Sequence, residues 1–146
     1  MIIFIGCGKF KNNVSCVAEK MYIGNYFKTC LNYAKCFCSS NDSIYILSAK
    51  YGVLSLDKVI EPYDITLNNY STAEYNNWLD KVIVQLKKLH ITNKEKVMFL
   101  CGKNYYKGLC SYFTDYVIPL KDYPGMGYQI QYMNKYIKNK SVKKLF

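Results

Sequence analysis

Three short apolar runs constrain this chain more than any other feature. The first, residues 2–6, reads Ile-Ile-Phe-Ile-Gly; the others cover residues 44–47 and 97–101. None alternates polar with apolar, so each has the pattern of a strand buried on both faces. Between them the spacing turns helical. Met21, Phe27, Cys30, Leu31, Ala34 and Phe37 recur at helical spacing over residues 18–38, where Gly24 can interrupt the first turns. Ser71-Thr72-Ala73-Glu74 is a capping box. It opens a helix to about Leu89 that buries Trp78, Val82, Ile83, Leu86 and Leu89. Residues 104–113 predict a short helix, 116–120 a fourth strand and 128–138 a last helix, with a frayed basic tail over 138–144. The order β-α-β-α-β-α-β-α over residues 1–146 predicts one α/β domain with a four-stranded, mostly parallel sheet and helices on both faces. Right-handed crossovers then bring the strand-to-helix loops to one edge, where ligands of such sheets bind.

Composition narrows the function. No apolar run reaches the roughly 20 residues that cross a membrane, so no membrane partner is expected. The opening run has no basic residue ahead of it and reads as a strand rather than a signal peptide. Seven cysteines, an odd count, predict reduced thiols and a cytoplasmic chain. Cys36-Phe37-Cys38 lacks zinc-ligand spacing and the single histidine, His90, reads as a helix-end cap or a solvated side chain. Neither a metal nor a cofactor is expected. The net charge is +10 and every basic residue is lysine. An A+T-rich coding sequence produces such a bias; the charge still attracts phosphate. Lysine lacks the bidentate fork that reads guanine edges, so the expected partner is a nucleic-acid backbone or a nucleotide rather than a specific duplex sequence.

Four loops carry the candidate chemistry. Gly6-Cys7-Gly8-Lys9 offers backbone N–H groups and a cation to an anion, or is a tight turn. Cys7 there is also a candidate nucleophile if Lys9 stabilises its thiolate. Ser48-Ala49-Lys50-Tyr51-Gly52 leaves room for a flat ligand on which Tyr51 can stack, or packs Tyr51 on the sheet rim. Glu61-Pro62-Tyr63-Asp64 puts two of only ten acids in one turn, suited either to water activation and sugar-cation stabilisation or to capping a backbone N–H. Gly102-Lys103 repeats the small-then-basic design, and Gly125 and Gly127 precede a helix whose N–H groups can meet an anion; ordinary loop glycines are the alternative.

Several of these segments carry a resemblance. Cys7-Gly8-Lys9 with Tyr22 and Phe27, the stretch Ile46-Leu47-Ser48-Ala49-Lys50-Tyr51-Gly52-Val53-Leu54, and Ile60-Glu61-Pro62-Tyr63-Asp64-Ile65-Thr66-Leu67 resemble a family of small uncharacterised microbial and viral domains. The likeness continues through Phe99-Leu100-Cys101-Gly102-Lys103, Tyr105, Ile118-Pro119-Leu120, Gly125-Met126-Gly127 and Gln129. That family is similar to the uracil-DNA-glycosylase-like domain of archaeosine synthases. The resemblance implies a three-layer α/β/α sandwich of the uracil-DNA-glycosylase type and a site that handles a nucleobase. The chain carries neither the Gly-Gln-Asp-Pro nor the His-Pro-Ser motif typical of uracil-DNA glycosylases.

The expected activity is that of an N-glycosidase acting on a modified nucleobase in nucleic acid or a nucleotide. Asp64 serves the sugar cation or the water, with Glu61 second. Lys9 and Lys50 hold phosphate or the leaving base; Tyr51 and Tyr63 stack; Ser48 bonds a base edge or phosphate. Lys50 or Lys103 is the candidate if a Schiff base forms. The alternatives are a non-catalytic reader of a nucleotide or modified base, and a structural partner domain.

Overall fold

In the computed structural model the elements run β1 (Ile2–Gly6), β2 (Cys16–Val17), α1 (Ala18–Met21), α2 (Asn25–Phe37), β3 (Ser43–Ser48), β4 (Gly52–Ser55), β5 (Val59–Ile60), α3 (Thr72–Lys88), β6 (Lys96–Leu100), α4 (Lys103–Tyr106), β7 (Asp115–Val117) and α5 (Gly125–Leu145). Short 3-10 turns lie at Leu67–Asn69 and Leu109–Ser111. The structure describes the backbone of residues 1–145 and the side chains of residues 1–140.

The isoleucine-rich opening becomes β1, the middle strand of a sheet ordered β4-β3-β1-β6-β7. Successive side chains of a strand point to opposite faces. Ile3 and Ile5 therefore join a core formed with α1, α2 and Met133 of α5. Ile2 and Phe4 join a second core, formed with Trp78, Val82 and Leu86 of α3 and with Leu109 and Phe113. Burial on both faces explains why the run shows no alternation. Each of the large α3 side chains buried here contributes about 1.5–3 kcal/mol relative to exposure.

The α/β class follows the sequence, but the sheet differs from the expected one. It has five strands, four of them parallel, and β4 pairs antiparallel with β3 at the edge. Residues 52–55 read as loop in the sequence because a four-residue strand carries almost no periodicity of its own. Pairing Leu54 with Ile46 and burying it is what makes them a strand. The fourth expected strand shortens to β7, ahead of Pro119, which has no N–H for a ladder.

The helix expected over residues 18–38 is split. Tyr22 is extended and bridges Lys11, and Ile23 donates to the Phe10 carbonyl at 2.9 Å. The loop after β1 thus pulls these residues out of helical geometry. The helix expected over residues 104–113 divides into α4 and a 3-10 turn. The last helix begins at Gly125, three residues early, and the tail 138–144 lies in part outside the described residues.

The capping box at α3 forms as read: Ser71 Oγ accepts from the Glu74 N–H, and Glu74 Oε1 accepts from the Ser71 N–H, each at 3.1 Å. Leu89, expected to be buried, is 44% exposed: it is the C-cap where α3 ends, and Ile91 takes the buried position instead. His90 ends the helix in the left-handed region at φ 59°. Its N–H bonds the Lys87 carbonyl at 3.0 Å and that of Ile91 bonds Leu86 at 2.9 Å, a Schellman closure with apolar Ile91 against the Leu86 turn. Glycine is the usual residue there because it has no Cβ to strain. His90→Gly is expected to raise the unfolding free energy by about 1 kcal/mol, read from the urea midpoint. An unchanged or lower midpoint would show that the imidazole makes up the strain.

Candidate functional site

The chain reverses direction in the sheet at β1. It moves from β1 outward to β3, then crosses back to β6 on the other side. The crevice outside the carboxyl ends of β1 and β6 is therefore the topological switch point, where sheets of this kind bind ligands. Gly6 closes β1 there, and a Cβ on it would come within 3.0 Å of Cys101 Cβ at the end of β6. Cys7 follows. Its N–H extends the β1–β3 ladder to the Leu47 carbonyl at 3.0 Å, and its Sγ lies 3.1 Å from the Tyr105 hydroxyl of α4. That contact spans the switch point.

A second group of hydroxyls abuts it. Ser48, fully buried at the end of β3, lies with its Oγ 2.8 Å from the Tyr63 hydroxyl, which is 2.7 Å from the hydroxyl of buried Tyr22. The N–H groups of Lys50 and Tyr51 both donate to Ser48 Oγ, at 3.2 and 3.0 Å. The Tyr63 ring meets Tyr51 and Tyr22 edge-on, with the Lys11 ammonium 4.5 Å from its centroid.

Helix α3 holds the loop between β3 and β4. Trp78 donates its indole N–H to the Ser48 carbonyl at 2.9 Å. Lys81 donates to the Lys50 carbonyl at 2.8 Å. Gln85 donates to the Tyr51 carbonyl at 2.9 Å and accepts from the Val53 N–H at 2.8 Å. Tyr70 adds a bond to the Ala49 carbonyl at 2.8 Å. Four carbonyls, of residues 48–51, and the Val53 N–H are thereby satisfied.

The expected site residues separate into two groups. Cys7, Ser48, Tyr51, Gly52 and Tyr63 come together at the ends of β1 and β3, with Gly8 half-buried beside them. Tyr51 reaches the rim rather than standing free: its hydroxyl meets the Glu61 N–H at 3.3 Å, and the Lys50 ammonium lies 5.3 Å from its ring. Lys9, Lys50, Glu61 and Asp64 are exposed around this group. Among the described residues, neither the Glu61 nor the Asp64 carboxylate makes a hydrogen bond or ion pair. Gly102, Lys103, Gly125 and Gly127 are exposed; the Gly102 carbonyl accepts from the Tyr105 N–H at 3.0 Å at the start of α4, and no hydrogen bond or ring contact among the described residues ties Lys103, Gly125 or Gly127 to the cluster. A Cβ at Gly102, Gly125 or Gly127 would meet nothing within 4 Å.

Lys11, Trp78, Lys81, Gln85 and the role of Tyr105 were not legible as site residues. Trp78, Lys81 and Gln85 share one helix face at three- to four-residue spacing, which is the signal that could have found them. Phe10, between Lys9 and Lys11, is 63% exposed, an aromatic flanked by cations on the rim. Two surface depressions, of about 290 and 280 Å³, lie elsewhere, around Lys87, His90 and Thr92 and around Tyr116, Val117 and Lys121.

Burial shapes the ionisation of the cluster. It pushes the phenols of Tyr22, Tyr63 and Tyr105 well above their ordinary range, with Cys7 adding to the effect on Tyr63 and Tyr105. Behind β1, burial pushes the Cys30 thiol up to about 12. For these groups the neutral form is favoured by folding, so the unfolded chain ionises first as pH rises. Their stabilisation is complete below the unfolded pKa values, about 8.5 for cysteine and 10 for tyrosine, and is lost above them. Fully buried Cys30 and Tyr22 should each lower the unfolding free energy by about 1.4 kcal/mol per pH unit in that window. Circular dichroism is expected to show cooperative alkaline unfolding; a flat signal to about pH 11 would contradict it.

Comparison with known proteins finds a relative and a family and adds no activity. The chain is 29% identical over 127 residues to the uncharacterized protein YfjM of Bacillus subtilis (strain 168), covering 84% of this chain and 81% of that protein. No solved structure matches. A family model matches residues 2–135, which include every residue of the cluster, and the chain belongs to that family, DUF6884, a family of unknown function.

Proposed function

We propose that the chain is an N-glycosidase that releases a modified base from nucleic acid or a nucleotide, on a fold of the uracil-DNA-glycosylase type. The observation that carries the reading is the return of the loop at residues 61–64 across the ends of β1 and β3. It seats Tyr63 against Ser48 and Tyr22 and leaves Asp64, its neighbour in the chain, exposed on the same loop. A carboxylate free of structural bonds is available to a substrate.

In this reading water adds its hydroxyl to the anomeric carbon as the bond to the base breaks, and the base leaves carrying the proton. Asp64 stabilises the sugar cation or orients the water, with Glu61 second. Lys9, Lys11 and Lys50 neutralise phosphate and the charge that develops on the base. Exposed Phe10 between Lys9 and Lys11 suits stacking on an unpaired base. The same freedom of Asp64 favours a second reading, a non-catalytic reader of modified bases, because no described residue orients the carboxylate.

The test is mass spectrometry of small molecules released when the pure protein meets base-modified viral DNA, ordinary DNA, bulk tRNA and a nucleotide pool. A freed base is expected from one of them and names the substrate class. Tight binding to one with no release from any would replace the hydrolase with the reader.

A further inference from the structure

The loop after β1 holds an aromatic ring out in solvent on a fixed backbone. Residues 10–12 pair with residues 21–23. The Ile23 N–H donates to the Phe10 carbonyl at 2.9 Å, the Asn12 N–H donates to the Met21 carbonyl at 2.8 Å, and Lys11 bridges Tyr22. Asn12 Nδ2 adds a bond to the Lys20 carbonyl at 3.0 Å. Neighbouring residues of such a ribbon face opposite ways. Lys11 turns in, with its ammonium 4.5 Å from the Tyr63 ring centroid, and Phe10 and Ile23 turn out, 63% and 46% exposed. The Phe10 ring leans on Gly24, where a Cβ would stand 3.4 Å from Phe10 Cδ2, and the Lys9 ammonium is 5.9 Å from its centroid.

The uncompensated charge on this segment has one sign. Residues 1–41 carry Lys9, Lys11, Lys20, Lys28 and Lys35 against a single acid, Glu19. Glu19 is taken by Lys35, 2.5 Å away. Lys20 is tied to the ribbon and Lys28 lies in the first turn of α2, just past Gly24. A large apolar ring among free cations fits a ligand that is itself aromatic and anionic.

We propose that Phe10 and its flanking lysines bind a single strand of nucleic acid, with Phe10 stacked on an unpaired base and the ammonium groups on the phosphates to either side. This narrows the substrate of the nucleobase reading above from nucleic acid or nucleotide to a single strand, and rests on that reading. A ring on the rim stacks only on a base whose face is open, and a duplex closes every face except at its ends. Lys9 precedes the ring and Lys11 follows it, as phosphates precede and follow a base in a chain; a free nucleotide has phosphate at one end only. The paired ribbon fixes the ring before binding, so little ordering cost is left to the complex. Lys11 joins the rim to the hydroxyl cluster, donating to the Lys9 carbonyl at 3.3 Å while it covers Tyr63, so a strand on Phe10 lies beside the ends of β1 and β3. An anionic membrane would meet the same charge, but membrane anchoring needs the apolar face of a whole helix, and this ribbon offers one phenylalanine and one isoleucine.

Fluorescence anisotropy of the full chain tests this with labelled oligo(dT) and oligo(U) of about 12 nucleotides, the oligo(dA)·oligo(dT) duplex of the same length, and dTMP as competitor. One of the single strands is expected to bind at least about tenfold more tightly than the duplex, although the duplex carries more charge, and than dTMP. Phe10→Ala should weaken single-strand binding about tenfold and leave duplex binding unchanged. Phe10→Trp should restore it, with tryptophan emission quenched by the stacked base; Trp78, the natural tryptophan, is buried. Lys9→Gln should lower the slope of log K against log salt by about 0.7. Duplex or dTMP bound as tightly as the single strands overturns the assignment, as does single-strand affinity that survives Phe10→Ala. So does a wild type that binds neither single strand, or one that binds phosphatidylserine–phosphatidylcholine vesicles through Phe10 instead. The wild-type comparisons and Phe10→Trp decide the matter even if Phe10→Ala does not fold. Strand binding through Phe10 with no base released from any nucleic acid would sink the hydrolase and leave this surface standing; base release confined to the nucleotide pool would do the reverse.

Discussion

Gly52→Ala is expected to lower the unfolding free energy by about 2–5 kcal/mol. Gly52 sits at φ +75°, and a Cβ there would lie 2.2 Å from Gln85 Oε1. Two costs combine. The left-handed backbone strains any residue with a Cβ by about 1–2 kcal/mol. The clash also displaces Gln85, which bonds both the Tyr51 carbonyl and the Val53 N–H, and unpaired backbone groups at a half-buried turn cost about 1–3 kcal/mol. Urea unfolding separates the two. In a Gln85→Ala background the clash is gone, so Gly52→Ala should cost only the backbone part. Equal losses in both backgrounds would mean that the clamp contributes nothing. Gly52 was read as a ligand-binding glycine; its demonstrable work is to turn the chain from β3 into β4 so that the N–H groups of Lys50 and Tyr51 fall on Ser48 Oγ.

Asp64→Asn should reduce turnover by about 10²–10⁴-fold, the usual worth of a positioned carboxylate in proton transfer, while leaving substrate affinity within about twofold. Asparagine keeps the shape and loses the charge, and among the described residues the carboxylate makes no bond that its loss would break. The melting temperature should therefore stay put, which distinguishes lost chemistry from lost structure. Full activity in Asp64→Asn removes the residue from the mechanism. A larger loss in Glu61→Gln would exchange the two roles, since both carboxylates are exposed on the same loop.

The readable part of the site was its place, and the unreadable part its wiring. Cys7, Ser48 and Tyr63 stand out in the sequence because they follow strands or interrupt them with small, polar or aromatic residues. Their partners do not. Tyr22 lies 41 residues from Tyr63, and Cys7 lies 98 residues from Tyr105. Tyrosine is so frequent here, at 16 residues, that no single one is marked by its type. Gly125 and Gly127 stand apart: glycines ahead of a helix suit an anion, and among the described residues no hydrogen bond joins them to the cluster.

The sequence by itself determined whatever depends on neighbours along the chain. The apolar runs dictate buried strands, the Ser71–Glu74 box starts α3, and the alternation of elements dictates an α/β sheet. Tertiary structure decided what depends on distant pairing. Residues 52–55 become an edge strand only because β3 is there to bond them. Tyr22 leaves its helix only because the loop after β1 pairs with it. The strand order sets Tyr105 against Cys7 and Tyr63 against Ser48 and Tyr22. Propensity and capping act within a turn or two of chain, whereas a hydroxyl's direction is set by every acceptor around it, and those are assembled only when the sheet closes.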